Sequence, residues 1–208
     1  MSTVYVRNAD ALPKRDPHDH YETAPIDVRR GLDFLWDTMA RDIPDKKRPN
    51  PRWAPIVLDP GAGSGNWGRE LRDYCCPQLL IGAELRNVPR PQEYDQWAVG
   101  NFLGNLGALD YYQFDLVIGN PAYRDVHLWV ERSLDLLKPD GYLLFLLRLT
   151  FLESQKRGDG LFAENPPLRI AFCKRRPSFS CDGRTSPDAY CYVCWKKGWK
   201  GEGTHTWV

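Results

Sequence analysis

Apolar side chains at Ile26, Val28, Leu32, Leu35, Trp36 and Met39 recur at close to helical spacing, which predicts a helix over residues 26–39. The pattern then shortens. Ile56-Val57-Leu58 reads as a buried strand, residues 66–73 as a helix, and residues 79–83 as a second strand. A third short element is expected near Asn101 to Leu103, and Phe114 to Gly119 forms a fourth strand. Residues 127–137 place Leu128, Val130, Leu134 and Leu137 on one side of a helix, and Lys138-Pro139-Asp140-Gly141 makes a turn into a fifth strand, residues 142–147. Residues 169–173 and 190–195 are the last strands, joined by a Pro, Ser and Gly-containing connection without an obvious helix.

Strands alternating with helices through short turns predict an α/β fold: a mostly parallel seven-stranded sheet with helices on both faces and a C-terminal antiparallel hairpin. The first 25 residues, polar and interrupted by Pro13, Pro17 and Pro25, read as an irregular arm, and residues 42–55 as a loop. At 208 residues the chain is expected to be a single domain over 1–208, with no room for a separate recognition domain.

Composition narrows the classes. The longest apolar run, Tyr142 to Leu147, suits a buried strand and is far too short to span a bilayer, so no membrane partner is expected. The N-terminal segment has no apolar signal-peptide core, which argues for a cytoplasmic protein. Lys+Arg 28 against Asp+Glu 27 gives a net charge of +1, which speaks mildly against bulk electrostatic grip on a long nucleic acid. The tail is locally basic, however, with Lys174-Arg175-Arg176 and Lys196-Lys197. A solvated surface and a phosphate-contacting patch both explain that excess.

Six cysteines raise the question of a metal, above all Cys191-Tyr192-Val193-Cys194. This pair sits inside a predicted strand, where residues three apart point to opposite faces. The expectation is therefore reduced cysteines and no metal.

The candidate chemistry begins at Asp59-Pro60-Gly61-Ala62-Gly63-Ser64-Gly65, directly after a strand and before a helix. Glycines at such a turn let the backbone approach a ligand closely. The Gly-Lys-Ser/Thr ending of a triphosphate loop is missing. Asp59 at the strand end suits a cationic or amine-bearing ligand better than a pyrophosphate, and Glu84 ends the next strand where a carboxylate can accept both hydroxyls of a ribose. A dehydrogenase-like dinucleotide site remains an alternative for a loop of this kind. The glycine loop with its two acids resembles motif I and the following acidic position of class I S-adenosylmethionine-dependent methyltransferases. That resemblance implies a Rossmann-like fold, S-adenosyl-L-methionine as cofactor, and Asp59, Gly61, Gly63 and Glu84 as cofactor-binding residues.

The fourth strand ends in Asn120-Pro121-Ala122-Tyr123. This resembles motif IV of the amino-methyltransferases, and its place fits, since ligands of open α/β sheets bind beyond the carboxyl ends of the strands. The lone pair of an aromatic amine is delocalised into the ring, so acceptors on its hydrogens are needed to make it nucleophilic. The resemblance implies that the Asn120 side-chain oxygen and the Pro121 carbonyl are those acceptors, with Asn120 also facing the cofactor. It implies that Tyr123 stacks on a flipped-out base. Ala122 stands where the family's second proline stands; the key carbonyl belongs to Pro121, so the expected cost is a less rigid loop.

Upstream, Tyr21-Glu22-Thr23-Ala24-Pro25 resembles motif X of a subgroup of adenine methyltransferases, with one extra alanine, which implies Tyr21 and Thr23 as contacts to the methionine end of the cofactor. Thr23 as a helix N-cap is the alternative. Asn101-Phe102 falls where the family has an acid and a phenylalanine at the cofactor's adenine; Phe102 as a core residue is equally consistent. The tail resembles small adenine methyltransferases of bacteriophages and prophages, with Arg148 and Ser154 at the substrate cleft and Arg176 and Phe179 near a phosphate and a base. The resemblance as a whole implies a site-specific adenine N6 methyltransferase acting on nucleic acid, DNA favoured over RNA, in a bacterial or phage-infected cell. Recognition of the target would be short or relaxed, or supplied by a homodimer partner or an accessory subunit. Other acceptors (RNA adenine or guanine, or protein glutamine) and an inactive methyltransferase-like binding subunit remain the competing readings.

Overall fold

The computed structural model describes residues 22–42, 53–179 and 185–208. One eight-stranded sheet organises them, in the order β3-β2-β1-β4-β5-β7-β6-β8. The strands are β1 (Ile56–Asp59), β2 (Leu79–Glu84), β3 (Gln96–Val99), β4 (Phe114–Gly119), β5 (Leu137–Arg148), β6 (Arg169–Phe172), β7 (Tyr190–Lys196) and β8 (Thr204–Trp207). From β3 to β5 every neighbouring pair is parallel, while β7 runs antiparallel to both β5 and β6. The expected antiparallel pair is thus present as β6 and β7, and an eighth strand, β8, adds parallel to β6 at the edge. Thr204 to Trp207 escapes the hydrophobic pattern because three of its four residues are exposed, so no buried alternation marks it.

Helices cover both faces, and the period-2 alternation of the central strands decides what each face holds. On one face, Leu144 and Leu146 of β5 meet Val28, Leu32 and Leu35 of α1 (Pro25–Asp42) and Trp67 and Leu71 of α2 (Asn66–Tyr74). On the other, Leu143, Phe145 and Leu147 meet Val130 and Leu134 of α3 (Val126–Leu136). Helix α1 begins with Pro25, whose missing N–H costs nothing at the first helical position, and carries Asp27 in its first turn and Arg41 in its last, both favoured by the helix dipole. Truncating any of the fully buried leucines in these layers removes roughly 2–5 kcal/mol of stability.

Two local expectations shift. The third strand is Gln96–Val99, earlier than Asn101 to Leu103, because the Asp95 carboxylate accepts the Leu80 N–H at 2.8 Å and pins this segment beside β2. Asn101 to Gly104 then form a turn closed by the Gly104 N–H on the Asn101 carbonyl, 2.8 Å. The Lys138-Pro139-Asp140-Gly141 turn sits inside β5, where the pairing with β4 skips from Leu137 to Tyr142 and Asp140 takes a φ of 62°. No helix among the described residues is long and apolar enough to cross a membrane.

The strand order reverses at β1, which has β2 on one side and β4 on the other. That reversal opens a crevice at the carboxyl ends of β1 and β4, where the glycine loop and Asn120 both stand.

Candidate active site

The glycine loop is held from beneath by two carboxylates. Glu84, at the end of β2, accepts the Gly63 N–H through Oε2 at 2.9 Å and the Arg86 N–H and Nε–H through Oε1 at 3.0 and 2.9 Å. Burial pushes its pKa up, but the bonds and charge of Arg86 with the Gly63 N–H outweigh burial and hold it below the usual range. Asp59, wholly buried at the end of β1, accepts the Tyr94 hydroxyl on Oδ2 at 2.6 Å. Burial pushes its pKa up to about 7, against the opposing hydrogen bond from Tyr94. The Gly61 N–H favours the anion from nearby, yet Asp59 Oδ1 has no hydrogen bond of normal geometry. Gly119 is required beside it, since a Cβ there would lie 2.9 Å from Oδ1.

Above the loop lies a small, partly open depression bordered by Glu22, Thr23, Gly61, Gly63, Trp67 and Asn120 among others. Thr23 is almost completely buried, and neither its hydroxyl nor the Trp67 indole N–H has a hydrogen-bond partner. Buried polar groups left unmatched cost on the order of 1–3 kcal/mol each, a cost that a ligand with matching polar atoms would relieve. The Thr23 side chain caps no helix. Tyr21 lies outside the described residues.

Asn120 borders this cavity from the far side, and Tyr123 hydrogen-bonds through its hydroxyl to Asn120 Oδ1. Tyr123 in turn borders a second, larger and open cleft whose walls include Leu147, Arg148, Thr150, Phe151 and Arg157. The Asn120–Tyr123 pair therefore stands between the two spaces. Pro121 is buried within the same loop. The Arg148 guanidinium lies 4.8 Å from the Tyr123 ring centroid, and its Nε is 3.3 Å from Asp188 Oδ2. Burial opposes the Arg148 charge, but a hydrogen bond with Tyr190 and the nearby Asp188 carboxylate outweigh it and raise the pKa. Tyr190 packs on Tyr123 at 6.0 Å and on Phe179 at 5.1 Å between ring centroids, so Phe179 belongs to this aromatic cluster.

Asp59 and Glu84 brace the loop without bordering either space, and four further expected residues lie away from the site. Asn101 is exposed and its amide oxygen accepts the Leu103 N–H at 3.0 Å. Phe102 is a core residue, 4.9 Å from the Trp129 ring and 5.3 Å from the Arg132 guanidinium. Ser154 caps the short helix α4 (Gln155–Arg157), accepting the Arg157 N–H. Arg176 is exposed on the loop after β6. Two residues at the site carry no functional signal of their own in the sequence: Tyr94, and Trp129, whose ring stands 3.5 Å from where a Gly61 Cβ would lie. The glycines at 68 and 82 were the available signal for Tyr94, since each clears space for an aromatic ring. Cys191 and Cys194 point into opposite cores and cannot share an ion; among the described residues no group of three His, Cys, Asp or Glu side chains is placed to bind a metal.

No protein-family model matches the sequence, and no curated protein matches it. Solved structures do match the fold. A Listeria monocytogenes protein assigned to the class I S-adenosylmethionine-dependent methyltransferases aligns with a TM-score of 0.64 at 16% identity, over 91% of this chain and 66% of that one. DrdV in its DNA complex aligns with a TM-score of 0.66 at 15% identity, over 90% of this chain and 27% of that one. The M protein of the type I restriction enzyme EcoKI gives 0.57 at 17% identity, over 75% and 43%. The fold is that of the class I methyltransferases. The chain spans between 27 and 66% of the length of these structures.

Proposed function

We propose that this methyltransferase-fold chain is an enzyme that binds S-adenosylmethionine and methylates an exocyclic amino nitrogen, with adenine N6 in DNA as the favoured acceptor. The observation that carries the reading is the Asn120–Tyr123 pair, hydrogen-bonded at the junction of a donor-side cavity and an acceptor-side cleft. The unmatched Thr23 hydroxyl and Trp67 N–H, the negative charge at Glu84 and the Cβ-free backbone of Gly61 and Gly63 along the depression fit a ligand carrying an amino acid end and a ribose. Tyr21, outside the described residues, is assigned to this set on the motif resemblance alone. The cofactor supplies an electrophilic methyl group. Asn120 Oδ1 and the Pro121 carbonyl accept the two hydrogens of the target amine and raise electron density on its nitrogen. The Tyr123 hydroxyl occupies one lone pair of Asn120 Oδ1 and fixes the amide so that oxygen rather than NH₂ faces the acceptor. Tyr123 offers a ring face to a planar base, and Arg148 holds the Tyr123 ring in place.

The test is transfer of tritium-labelled methyl to unmethylated double-stranded DNA, single-stranded DNA, ribosomal RNA and a protein extract, with Asn120→Ala beside each. Label recovered as N6-methyladenine and lost in the variant supports the full proposal. Label only in RNA or protein keeps the chemistry and replaces the acceptor, a result the net charge of +1 makes a real competitor. A chain that binds no S-adenosylmethionine sinks the proposal.

A further inference from the structure

The outer edge of the sheet carries chemistry that the site does not use. Strand β6 is antiparallel to β7, which is antiparallel to β5, so β6 and its parallel neighbour β8 end on the same side of the molecule as Asn120. Backbone hydrogen bonds tie that rim together: the Cys173 N–H to the Tyr190 carbonyl at 3.0 Å, and the Lys174 N–H to the Val208 carbonyl at 2.8 Å. Tyr190 itself pairs with Arg148. Three strand spacings therefore separate Arg148 from the end of β8, about 14 Å, which equals roughly four steps along a nucleic-acid strand.

Two features meet at this rim. The exposed run Lys174-Arg175-Arg176 follows β6, and none of the three pairs with a carboxylate among the described residues. Beside it, the exposed edge holds a ring cluster: Phe172 lies 5.5 Å from Trp207 and 5.9 Å from His205, and His205 lies 5.3 Å from Trp207. Trp207 is 56% exposed although it is the largest apolar side chain type. Edge strands are ordinarily blunted with charge, and protein interfaces deplete charge at their centres. Cations bordering exposed aromatic faces are instead the pattern of surfaces that grip phosphates and stack bases.

We propose that this rim is a nucleic-acid track, with Lys174, Arg175 and Arg176 on phosphates and Trp207 stacked on a base about four nucleotides from the target. The inference builds on the methyltransferase reading above by extending its acceptor beyond the reacting base. It explains how a chain of near-neutral charge engages a polyanion: the cations are few, and they are placed along the line leading to the cleft.

The experiment is fluorescence anisotropy of the full chain with labelled single-stranded and duplex oligodeoxynucleotides and a matching RNA, across a salt titration and without cofactor. Replacing Lys174, Arg175 and Arg176 together by alanine should lower the slope of log affinity against log salt by about 2 on single strands and somewhat more on duplex. Trp207→Ala should weaken single-strand binding by about tenfold or more, while Trp207→Phe keeps most of it. S-adenosylmethionine affinity should stay unchanged in all of these variants, which separates a failed track from a failed enzyme reading. Tighter RNA than DNA binding with the same variant losses supports the track and moves the acceptor to RNA. An unchanged salt slope in the triple variant, or unchanged affinity in Trp207→Ala, overturns the proposal. So does a Trp207→Ala chain that loses self-association while binding oligonucleotide as before, because the rim is then an interface between copies.

Discussion

The Tyr94 hydroxyl donates to Asp59 Oδ2 at 2.6 Å and accepts the Gly68 N–H at 3.2 Å, joining the loop before β3, the end of β1 and helix α2 through one atom. The ring can occupy this place only because glycine stands at 68, where a Cβ would come within 2.6 Å of Tyr94 Cζ. A hydrogen bond to a charged, buried group contributes about 1.5–3 kcal/mol. Tyr94→Phe should therefore destabilise the chain by about 2 kcal/mol at pH 8 in urea denaturation, and cost cofactor affinity by loosening the glycine loop. Gly68→Ala, which evicts the ring, should cost more. Wild-type stability in both variants would show that the bond does not hold the loop.

The same carboxylate predicts a pH dependence. In the folded chain Asp59 titrates near about 7, against 3.8 for the free side chain. Below pH 3.8 it is protonated in both states; between 3.8 and 7 only the folded state keeps the proton. Stability from this group is thus complete at the acid end and is lost as pH rises to 7, by at most about 4 kcal/mol. Asp59→Asn cannot ionise, so the stability difference between variant and wild type should shift in favour of the variant from pH 4 to pH 8. A difference that is flat with pH would show that Asp59 is already ionised at pH 4.

Where apolar runs are bounded by turn residues, the architecture is legible in the sequence. Residues 142–147 read as a strand because both their faces are buried, and Asp59 to Gly65 and Asn120 to Tyr123 were readable because strand ends concentrate chemistry in α/β sheets. What escaped had no local signal. Tyr94 acts across 35 residues of chain on Asp59, and a tyrosine amid prolines and acids carries no mark of burial. β8 is recognisable only through its partner β6, since its own side chains face solvent. Phe102 could be read as a cofactor contact or as core, and the choice belongs to Trp129 and Arg132, which the fold brings from helix α3.

The Asn120–Tyr123 bond separates orientation from stacking. Asn120→Ala removes an acceptor aimed at the developing charge and should lower kcat by about a hundredfold or more. Its effect on S-adenosylmethionine affinity should be a few-fold at most in calorimetry. Tyr123→Phe keeps the ring but frees the amide, so kcat should fall while the acceptor KM holds. Tyr123→Ala should raise that KM as well. If Tyr123→Phe matched wild type in kcat, the hydroxyl would have no part in setting the amide.

Arg148 offers the last separable test. Its guanidinium sits 4.8 Å from the Tyr123 centroid while Asp188 and Tyr190 hold it from the other side. A cation placed over an aromatic face contributes about 0.5–2 kcal/mol. Arg148→Ala should therefore raise the KM for the nucleic-acid acceptor roughly 3–30-fold, the range those energies imply, through a freed Tyr123 ring. Cofactor affinity should not change, because Arg148 borders the second cleft and not the depression above the glycine loop. Arg148→Lys should recover little, since an ammonium lacks the flat guanidinium that reaches ring, tyrosine oxygen and carboxylate together. Full recovery by lysine would mean that charge alone matters at this position, and the ring-positioning role would be withdrawn.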